Sequence, residues 1–319
     1  MKLPTVIMLE GTDVSPMVQE ALNRIGHVQI FDALSSEKTD GDVLFVGLVH
    51  SIDKALIDKL PGLKAIVTVT TGQQHIDLSL CEERGIEVLS LRDVSEQIRK
   101  VTSTTEHTLG LVFALLRRTL RAHSAVVDEN RWERLDFVGR QISSMTVGVL
   151  GMGRIGSGVA ACLSALGSQI IWCDPQAGEG VGIGDRVETI EEVLSQSDLV
   201  LVHVSAGVQP NLIDSQSLEK MKPGSYLVNT SRGHIVDEDA LAEAIRTGRL
   251  AGCAVDVLDG EHSPGWQPKD SPLVQLARDG FNVLVTPHLG GCTSDAMNQT
   301  GLLMVDALQD WWESRMRQR

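Results

Sequence analysis

Short runs of apolar residues alternate with segments of helical spacing along most of the chain. In the first ninety residues the apolar runs have the length and composition of buried strands, and the segments between them repeat apolar residues every three or four positions. This alternation predicts parallel sheet covered by helices. The predicted strands are Pro4–Leu9, His27–Phe31, Val43–Leu48, Ala65–Val69 and Ile86–Leu89, with helices at Met17–Ile25, Lys54–Lys59 and Leu78–Arg84.

A second series of the same kind begins at Thr146. It contains six apolar runs, and two mononucleotide-binding halves require six strands with intervening helices. We therefore predict an α/β fold with two Rossmann-like domains, each a doubly wound parallel sheet, and an active site in the cleft between them. The six strands are Thr146–Leu150, Gln169–Cys173, Leu199–Val204, Tyr226–Asn229, Gly252–Val257 and Val283–Thr286.

An apolar segment between the two series predicts one long helix over Thr102–Ala122, which is either a spacer between domains or a core helix of the second domain. The last residues, 294–319, predict a helix that could return to the first domain. The predicted division is residues 1–98 plus 290–319 for a substrate domain and 99–289 for an NAD-binding domain. We expect no C-terminal regulatory domain.

The amino-acid composition argues against several classes of binding partner and site. The hydrophobic fraction of 42% and charged fraction of 22% are those of an ordinary globular protein, and a formal net charge of -14 argues against nucleic acid. The five cysteines are scattered without a C-x-x-C pair, so neither a disulfide framework nor a metal site is expected. No apolar run is long enough for a membrane span. These features favour a cytoplasmic protein.

The most specific motif is a glycine-rich turn between a strand and a helix. Gly151, Gly153 and Gly156 form a G-x-G-x-x-G run that includes Arg154 and Ile155, and a helix is predicted over Ser157–Leu166. The first glycine permits the turn, the second lets backbone approach a pyrophosphate, and the third allows close helix–strand packing. Amides at the helix start would hold the anion.

Asp174 closes the next strand, eighteen residues after Gly156. A carboxylate there can accept hydrogen bonds from ribose hydroxyls and repels a 2′-phosphate. Pro175 and Gln176 follow it and supply no positive charge. The motif therefore predicts that the cofactor is NAD rather than NADP.

Three later strand ends carry an arginine, an acid and a histidine. The segments are Asn229–Gly233, Val255–Glu261 and Thr286–Gly291. Carboxyl ends of parallel strands meet at one edge of a sheet, where α/β proteins bind ligands. A nicotinamide enzyme that acts on a ketone needs a proton donor and a group that grips the substrate. The three segments supply both.

With these motifs the chain resembles the D-isomer-specific 2-hydroxyacid dehydrogenase family, whose relatives include 3-phosphoglycerate dehydrogenase and glyoxylate reductase. The resemblance covers nearly the whole chain and is most specific over residues 149–156, 228–241, 251–261 and 286–291. Glu106 to Gly110 also resembles the family. The resemblance implies an enzyme that transfers a hydride between NAD and a D-2-hydroxy acid or its 2-keto acid, and it implies a homodimer.

The resemblance also assigns roles to residues. Arg232, Glu261 and His288 correspond to the family's catalytic Arg, Glu and His, with His288 as the acid/base and Arg232 as a fork for the substrate carboxylate. Arg232, His288, Gly72 and Gln73 would contact the substrate. Cofactor contacts are implied for Gly151, Gly153, Arg154, Ile155, Gly156, Asp174, Thr230, Ser231, Arg232, Asp256, His288, Gly290 and Gly291, with Asp256 at the carboxamide.

This chain departs from the family in four places. It has Gly72-Gln73-Gln74 where Gly-x-Asp is usual, and Gly47 where some relatives carry Arg. The connector from Ile86 to Glu106 is longer than usual and contains Arg92, Arg99 and Lys100. The loop from His262 to Lys269 is expanded. The identity of the hydroxy acid therefore stays open.

Two alternatives keep the fold but change the function. Some relatives act as NAD-sensing corepressors, and the first alternative is such a binding protein without catalysis. Others oxidise formate or an inorganic donor such as phosphite. The full Arg–Glu–His set favours catalysis over the corepressor role, and Glu261 favours the keto-acid branch over formate, while the phosphite alternative stays open.

Overall fold

The structure, a computed structural model, describes residues 3–12, 14–35, 37–178, 182–205, 207–263 and 265–318. The chain divides into two compact units. One takes the described residues up to Val101 and from Cys292 onward, and the other takes Thr102–Gly291. No helix in the described ranges is long and apolar enough to cross a membrane.

The first unit is built on a parallel sheet of five strands. Its spatial order is β2-β1-β3-β4-β5, with every neighbouring pair parallel. Helices cover the sheet, and buried residues of both faces form its core. The elements are β1 (Thr5–Leu9), α1 (Pro16–Ile25), β2 (His27–Phe31), β3 (Val43–Val46), α2 (Lys54–Ile57), β4 (Ala65–Thr68), α3 (Leu78–Glu83), β5 (Glu87–Leu89) and a 3-10 turn, Gln97–Lys100.

The second unit contains a seven-stranded parallel sheet. Its strands and helices are α4 (Ser103–Leu116), α5 (Thr119–Val127), β6 (Thr146–Leu150), α6 (Arg154–Ala165), β7 (Gln169–Cys173), β8 (Asp185–Arg186), α7 (Ile190–Gln196), β9 (Leu199–Val202), α8 (Ser215–Lys220), β10 (Ser225–Asn229), α9 (Glu238–Arg246), β11 (Leu250–Val255), α10 (Pro272–Arg278) and β12 (Val283–Val285). Shorter 3-10 turns are Arg134–Phe137, Ile142–Ser144, Gly233–Ile235 and Pro268–Asp270.

The strand order of the second sheet is that of a dinucleotide-binding fold. The order is β12-β11-β10-β9-β6-β7-β8, so the connection reverses direction between β6 and β9. Ligands of open α/β sheets bind at such a reversal, beyond the carboxyl ends of the strands. The predicted α/β class with two doubly wound parallel sheets is confirmed.

The C-terminal segment forms the longest helix, α11 (Ser294–Arg317), and belongs to the first unit. It packs on α1, where Gly301 lies so close to Val18 that a Cβ on the glycine would be 2.5 Å from a Val18 methyl group. Met304, Val305 and Leu308 are buried with residues of β1 and α1. The predicted return of the last helix to the first part of the chain is thus observed.

The single long helix predicted over Thr102–Ala122 is wrong. α4 ends at Leu116, and Arg118 has a left-handed backbone, φ 51°, before α5 begins. The carbonyl of Leu116 accepts a hydrogen bond from the amide of Arg140 at 3.1 Å, so it is not used to extend the helix. Gly139 lies so close to that carbonyl that a Cβ would be 2.1 Å from its oxygen. A long-range contact therefore ends the helix.

Two smaller predictions also need correction. The sheet of the second unit has seven strands in the described part, not six, because the short and exposed β8 carries no apolar pattern. The helix after the glycine turn begins at Arg154 and not at Ser157. The first turn of the helix therefore includes Gly156, the third glycine of the motif. In the expanded loop, Pro264 lies outside the described residues.

Candidate active site

Every predicted site residue of the second unit follows a strand at the same edge of the sheet. The glycine turn follows β6, Asp174 follows β7, Arg232 follows β10, Asp256 follows β11 and His288 follows β12. The strands are parallel, so their carboxyl ends point the same way. The edge therefore collects groups that are distant in the sequence.

The glycine turn has the backbone that a dinucleotide phosphate requires. Gly151 has φ +90°, and a Cβ there would be 2.5 Å from the carbonyl oxygen of His203. A Cβ on Gly156 would be 2.0 Å from the carbonyl oxygen of Gly151, so helix and turn pack without a side chain between them. Gly153 has no atom within 4 Å of such a Cβ. Open space at the middle glycine leaves the backbone accessible to a ligand.

The start of α6 completes this part of the site. Gly153 is the N-cap residue and, as a glycine, has no side chain with which to cap the first turn. The first amides of a helix need acceptors, and the helix dipole favours an anion there. Arg154 is partly buried in the first turn, and its burial lowers the pKa of the guanidinium. The turn fits a pyrophosphate.

Asp174 lies beside the glycine turn and is bonded to it. Its Oδ2 accepts from the backbone amide of Met152 at 2.8 Å, and its Oδ1 accepts from the amide of Gln176 at 2.8 Å. Each carboxylate oxygen has a second lone pair for a ribose hydroxyl. The role of Asp174 in selecting a 2′-hydroxyl stays a prediction.

The loop after β10 is organised by Asn229. Its side-chain oxygen accepts from the amide and the hydroxyl of Ser231, both at 3.0 Å, and its amide nitrogen donates to the carbonyl of Arg232 at 2.9 Å. Asn229 is buried, with 1% exposure. The loop therefore has a defined shape, and it presents Arg232 at the edge of the sheet. Sequence reasoning did not single out Asn229.

His288 and Glu261 form a direct pair. Nδ1 of His288 lies 2.8 Å from Oε1 of Glu261, although 27 positions separate them in the chain. The His288 side chain is 22% exposed and the Glu261 side chain is 15% exposed. A carboxylate on one ring nitrogen fixes the tautomer and leaves the other nitrogen for a second partner.

The turn that carries His288 is held by Asp256. Oδ1 accepts from the amide of Leu289 at 2.8 Å and from the hydroxyl of Thr286 at 2.6 Å, and Oδ2 accepts from the amide of Gly290 at 2.8 Å. The amide of His288 donates to the backbone carbonyl of Asp256 at 2.9 Å. His288 has φ 55°, which is uncommon for a non-glycine residue and needs such support.

Asp256 thus serves the protein itself, in addition to any contact with a nicotinamide carboxamide. Its side chain is 2% exposed and accepts several donors within the second unit. Gly290 is packed against Asp256 and Thr104, whereas Gly291 is exposed with open space around it. The structure brings Gly290 to the predicted site and gives Gly291 no comparable contact.

His107 belongs to this network, which the sequence interpretation did not foresee. Its Nε2 lies 3.0 Å from Asp256 Oδ1 and 3.1 Å from Thr286 Oγ1. Its side chain is 20% exposed. His107 is part of the Glu106-to-Gly110 segment that resembles the family. The spacing of residues in that segment does not show that α4 packs near the end of β11.

A second histidine, His262, adjoins the pair. Its Nε2 lies 3.5 Å from Glu261 Oε1, and its ring centroid lies 5.8 Å from that of His288. Burial lowers the pKa of His262; Glu261 opposes this effect, while His288 and Arg232 add to it. Arg232 is therefore electrostatically coupled to this cluster. No sequence argument had given His262 a role.

His203 follows β9 at the reversal point of the sheet. Its Nδ1 lies 3.4 Å from Thr230 Oγ1, which in turn lies 2.9 Å from Thr108 Oγ1. Nε2 is shielded from solvent and has no hydrogen-bond partner among the described residues. Burial lowers the pKa of His203 to about 4. The ring is neutral near pH 7.

Two predicted substrate residues lie in the first unit. Gly72 and Gln73 follow β4, and the Gly72 carbonyl accepts from Thr70 Oγ1 at 2.6 Å. Arg92 donates from Nε to the carbonyl of Thr71 at 2.9 Å. The substrate residues predicted from the sequence are thus divided between the two units.

Comparisons with known proteins agree with this geometry. The family model described as the NAD binding domain of D-isomer specific 2-hydroxyacid dehydrogenases matches residues 109–290. A D-3-phosphoglycerate dehydrogenase from Mycobacterium bovis is 31% identical over 97% of this chain and 57% of its own length. One from Methanocaldococcus jannaschii is 31% identical over 90% of this chain and 54% of its own length. The chain thus spans little more than half of these relatives.

Solved structures of the same kind match almost end to end. The crystal structure of a D-lactate dehydrogenase from Aquifex aeolicus, complexed with NAD and lactic acid, has a TM-score of 0.83 and 27% identity. That match covers 98% of this chain and 97% of the other. Fold, strand-end geometry and the matched NAD binding domain all agree with the sequence motifs. The chain belongs to the D-isomer specific 2-hydroxyacid dehydrogenase family.

Proposed function

We propose that this protein is an NAD-dependent dehydrogenase that interconverts a D-2-hydroxy acid and its 2-keto acid. The observation that carries the proposal is the 2.8 Å pairing of His288 with Glu261 at the sheet edge that also bears Arg232 and the glycine turn. An acid/base, a carboxylate grip and a dinucleotide site together are what this reaction needs.

His288 acts as the acid/base. Glu261 occupies the Nδ1 side, so the Nε2 nitrogen is the one that faces a substrate oxygen. In the reductive direction His288 donates a proton to the ketone oxygen, and in the oxidative direction it accepts the hydroxyl proton. Glu261 keeps the ring oriented through its contact with Nδ1.

Arg232 binds the substrate carboxylate and polarises the carbonyl oxygen. Its guanidinium offers a planar fork of donors that matches a carboxylate. Asn229 fixes the loop that carries it. The family resemblance also assigns substrate contacts to Gly72 and Gln73, and we propose that role for them.

The cofactor-binding residues are those of the glycine turn and Asp174, together with Arg154, Ile155, Thr230, Ser231, Asp256 and Gly290. Bound NAD supplies the hydride acceptor, and NADH the donor. Gly153 leaves room for the pyrophosphate, the uncapped start of α6 neutralises its charge, and Asp174 accepts from ribose. Asp174 also repels the 2′-phosphate of NADP, so NAD is preferred.

Steady-state kinetics with small 2-keto acids test this function. NADH oxidation is measured with a panel of keto acids of different length and charge, and again with NADPH. We expect turnover with at least one acid and a clear preference for NADH. His288→Gln should lower kcat by about a thousandfold or more while NADH still binds. If NADH binds but no keto acid is turned over, the protein is better explained as an NAD-sensing binding protein. Turnover with phosphite would favour the alternative in which the enzyme oxidises an inorganic donor.

We further propose that the protein forms a homodimer through the second unit. Several large apolar side chains between residues 113 and 138 are exposed, led by Trp132 at 85%, Leu135 at 74% and Val138 at 70%. A cluster of this size in one segment is typical of an interface. A second copy of the chain would cover it.

A further inference from the structure

Three metal-binding side chains meet at the acid–base pair. Glu261, His262 and His288 each offer a donor atom, and these atoms lie within 4.8 Å of one another. Oε1 of Glu261 is the centre of the group, 2.8 Å from His288 Nδ1 and 3.5 Å from His262 Nε2. His288 and Glu261 belong to the proposed reaction, whereas His262 has no part in it.

A folded turn holds His262 in this place. The amide of Ser263 donates to the carbonyl of Gly260 at 2.7 Å, and the amide of Trp266 donates to the carbonyl of Ser263 at 3.1 Å. Trp266 packs against the buried core of the second unit. The expanded loop is therefore anchored on both sides of His262, and its ring is presented toward His288 at a tilt of 39°.

We propose that Glu261, His262 and His288 form a binding site for a divalent transition-metal ion such as Zn²⁺. Two imidazoles and one carboxylate are the donor set of mononuclear zinc sites that keep a coordination position open. Tetrahedral coordination places donors about 3.3 Å apart, so small rotations of the His262 and His288 side chains bring all three into range. Mg²⁺ and Ca²⁺ prefer oxygen donors and bind this set poorly.

The charges of Glu261 and Arg232 make metal binding at this site reversible. Glu261 supplies the negative charge of the cluster, and Arg232 is close enough to act electrostatically on His262. A neighbouring cation opposes a bound metal ion. The site is therefore one that a chelator can empty, unlike a closed structural zinc site. The sequence pointed to no such site because its three residues come from two separate segments and no cysteine pair marks them.

A metal ion at this site inhibits the enzyme. Coordination through Nδ1 of His288 prevents the ring from becoming an imidazolium, so Nε2 can no longer gain and release the substrate proton, and coordination of Glu261 removes the group that orients the ring. His262, a residue of the expanded loop, thus makes the acid–base pair sensitive to free zinc. This consequence rests on the proposed function, but binding of the metal does not.

Co²⁺ binding to the metal-free protein tests the site without any substrate. The exposed thiols Cys162 and Cys292 are first replaced by serine in every variant, so that they do not compete. We expect visible d–d absorption of four- or five-coordinate Co²⁺ at a stoichiometry of one, displaced by Zn²⁺. Calorimetry should show Zn²⁺ binding weakened at least tenfold by His262→Ala and unchanged by His123→Ala, an exposed histidine on α5.

Inhibition is then measured in the keto-acid assay. Zn²⁺ should inhibit the parent protein, EDTA should restore activity, and His262→Ala should need at least tenfold more Zn²⁺ for the same inhibition. Thermal unfolding checks that His262→Ala is folded. Equal Zn²⁺ affinity of the parent and His262→Ala, or no Co²⁺ spectrum, would overturn the site while leaving the dehydrogenase function intact. An inactive protein that binds Co²⁺ through His262 would overturn the function and retain the site.

Discussion

At the scale of single residues, His203 links stability to pH. Its pKa falls from 6.5 in the unfolded chain to about 4 in the folded one, because burial disfavours the charged ring. Between these values the unfolded state binds more protons, so stability is lost as pH falls from about 6.5 toward 4. The free energy of unfolding should drop by about 2 kcal/mol from this group between pH 7.5 and pH 5.

Denaturant unfolding of the parent and His203→Asn at both pH values isolates this contribution. Asparagine has no titrating ring, so the variant should lose less stability on acidification, by about the same 2 kcal/mol. Other groups titrate in both proteins and cancel in the comparison. Identical pH dependence of parent and variant would contradict the prediction.

His107 offers a second prediction for a single residue. Its ring contacts Asp256 and Thr286, and Asp256 holds the turn that fixes His288. His107→Ala removes one partner of a buried carboxylate, which costs about 1–2 kcal/mol and should lower kcat about tenfold. KM for the keto acid should change little, because Arg232 remains. His107→Gln, which keeps a donor, should recover most of kcat.

That pattern separates a positioning role from a merely structural one. Loss of fold would lower the melting temperature of both His107 variants and change KM together with kcat. A fall in kcat without recovery in His107→Gln would show that the hydrogen bond to Asp256 is not what matters.

At the scale of elements, the long connector after β5 contacts the loop after β4. Arg92 donates to the carbonyl of Thr71, next to the predicted substrate residues Gly72 and Gln73. The 3-10 turn Gln97–Lys100 follows it, with Ile98 buried. The extra residues of the connector thus bring a cation to the loop after β4.

Arg92→Ala should loosen this loop. The arginine is exposed, so the bond contributes about 0.5–1 kcal/mol, and KM for the keto acid should rise about two- to fivefold with kcat nearly unchanged. Lys100→Ala, an exposed cation of the same connector, is the matched control and should leave KM as it is. An equal rise in KM for both would indicate a general loss of positive charge instead.

At the scale of the whole molecule, the exposed apolar segment predicts the oligomeric state. Leu135→Glu places a charge in the segment that also carries Trp132 and Val138, and should convert a dimer to a monomer. Light scattering after size exclusion measures this. Leu34→Glu, at a leucine 93% exposed in the first unit, should leave the dimer intact. A parent protein that is monomeric at all concentrations would refute the proposed dimer.

Sequence patterns predicted the sheets well because most strands are buried apolar runs, and the partly exposed β2 and β5 still contain apolar residues, whereas β8 consists of two exposed charged residues. The glycine turn and the three strand ends were equally readable, since each is a short contiguous motif. The end of α4 was not, because the amide of Arg140 determines it across more than twenty positions. His107 shares this difficulty, because its contact with Asp256 joins residues 149 positions apart. Asn229 and His262 contact residues nearby in the sequence, but the loop conformations that form those contacts have no distinct sequence pattern.

The packing of α11 on α1 has a consequence for synthesis. Residues 102–291 form a contiguous unit, so all of its strands leave the ribosome in one stretch and can pair without waiting for the rest of the chain. In the first unit, β1 and α1 are translated before residues 102–291, whereas Met304, Val305 and Leu308, which complete their core, are translated after them. The apolar surface of β1 and α1 therefore stays uncovered while about two hundred residues are added.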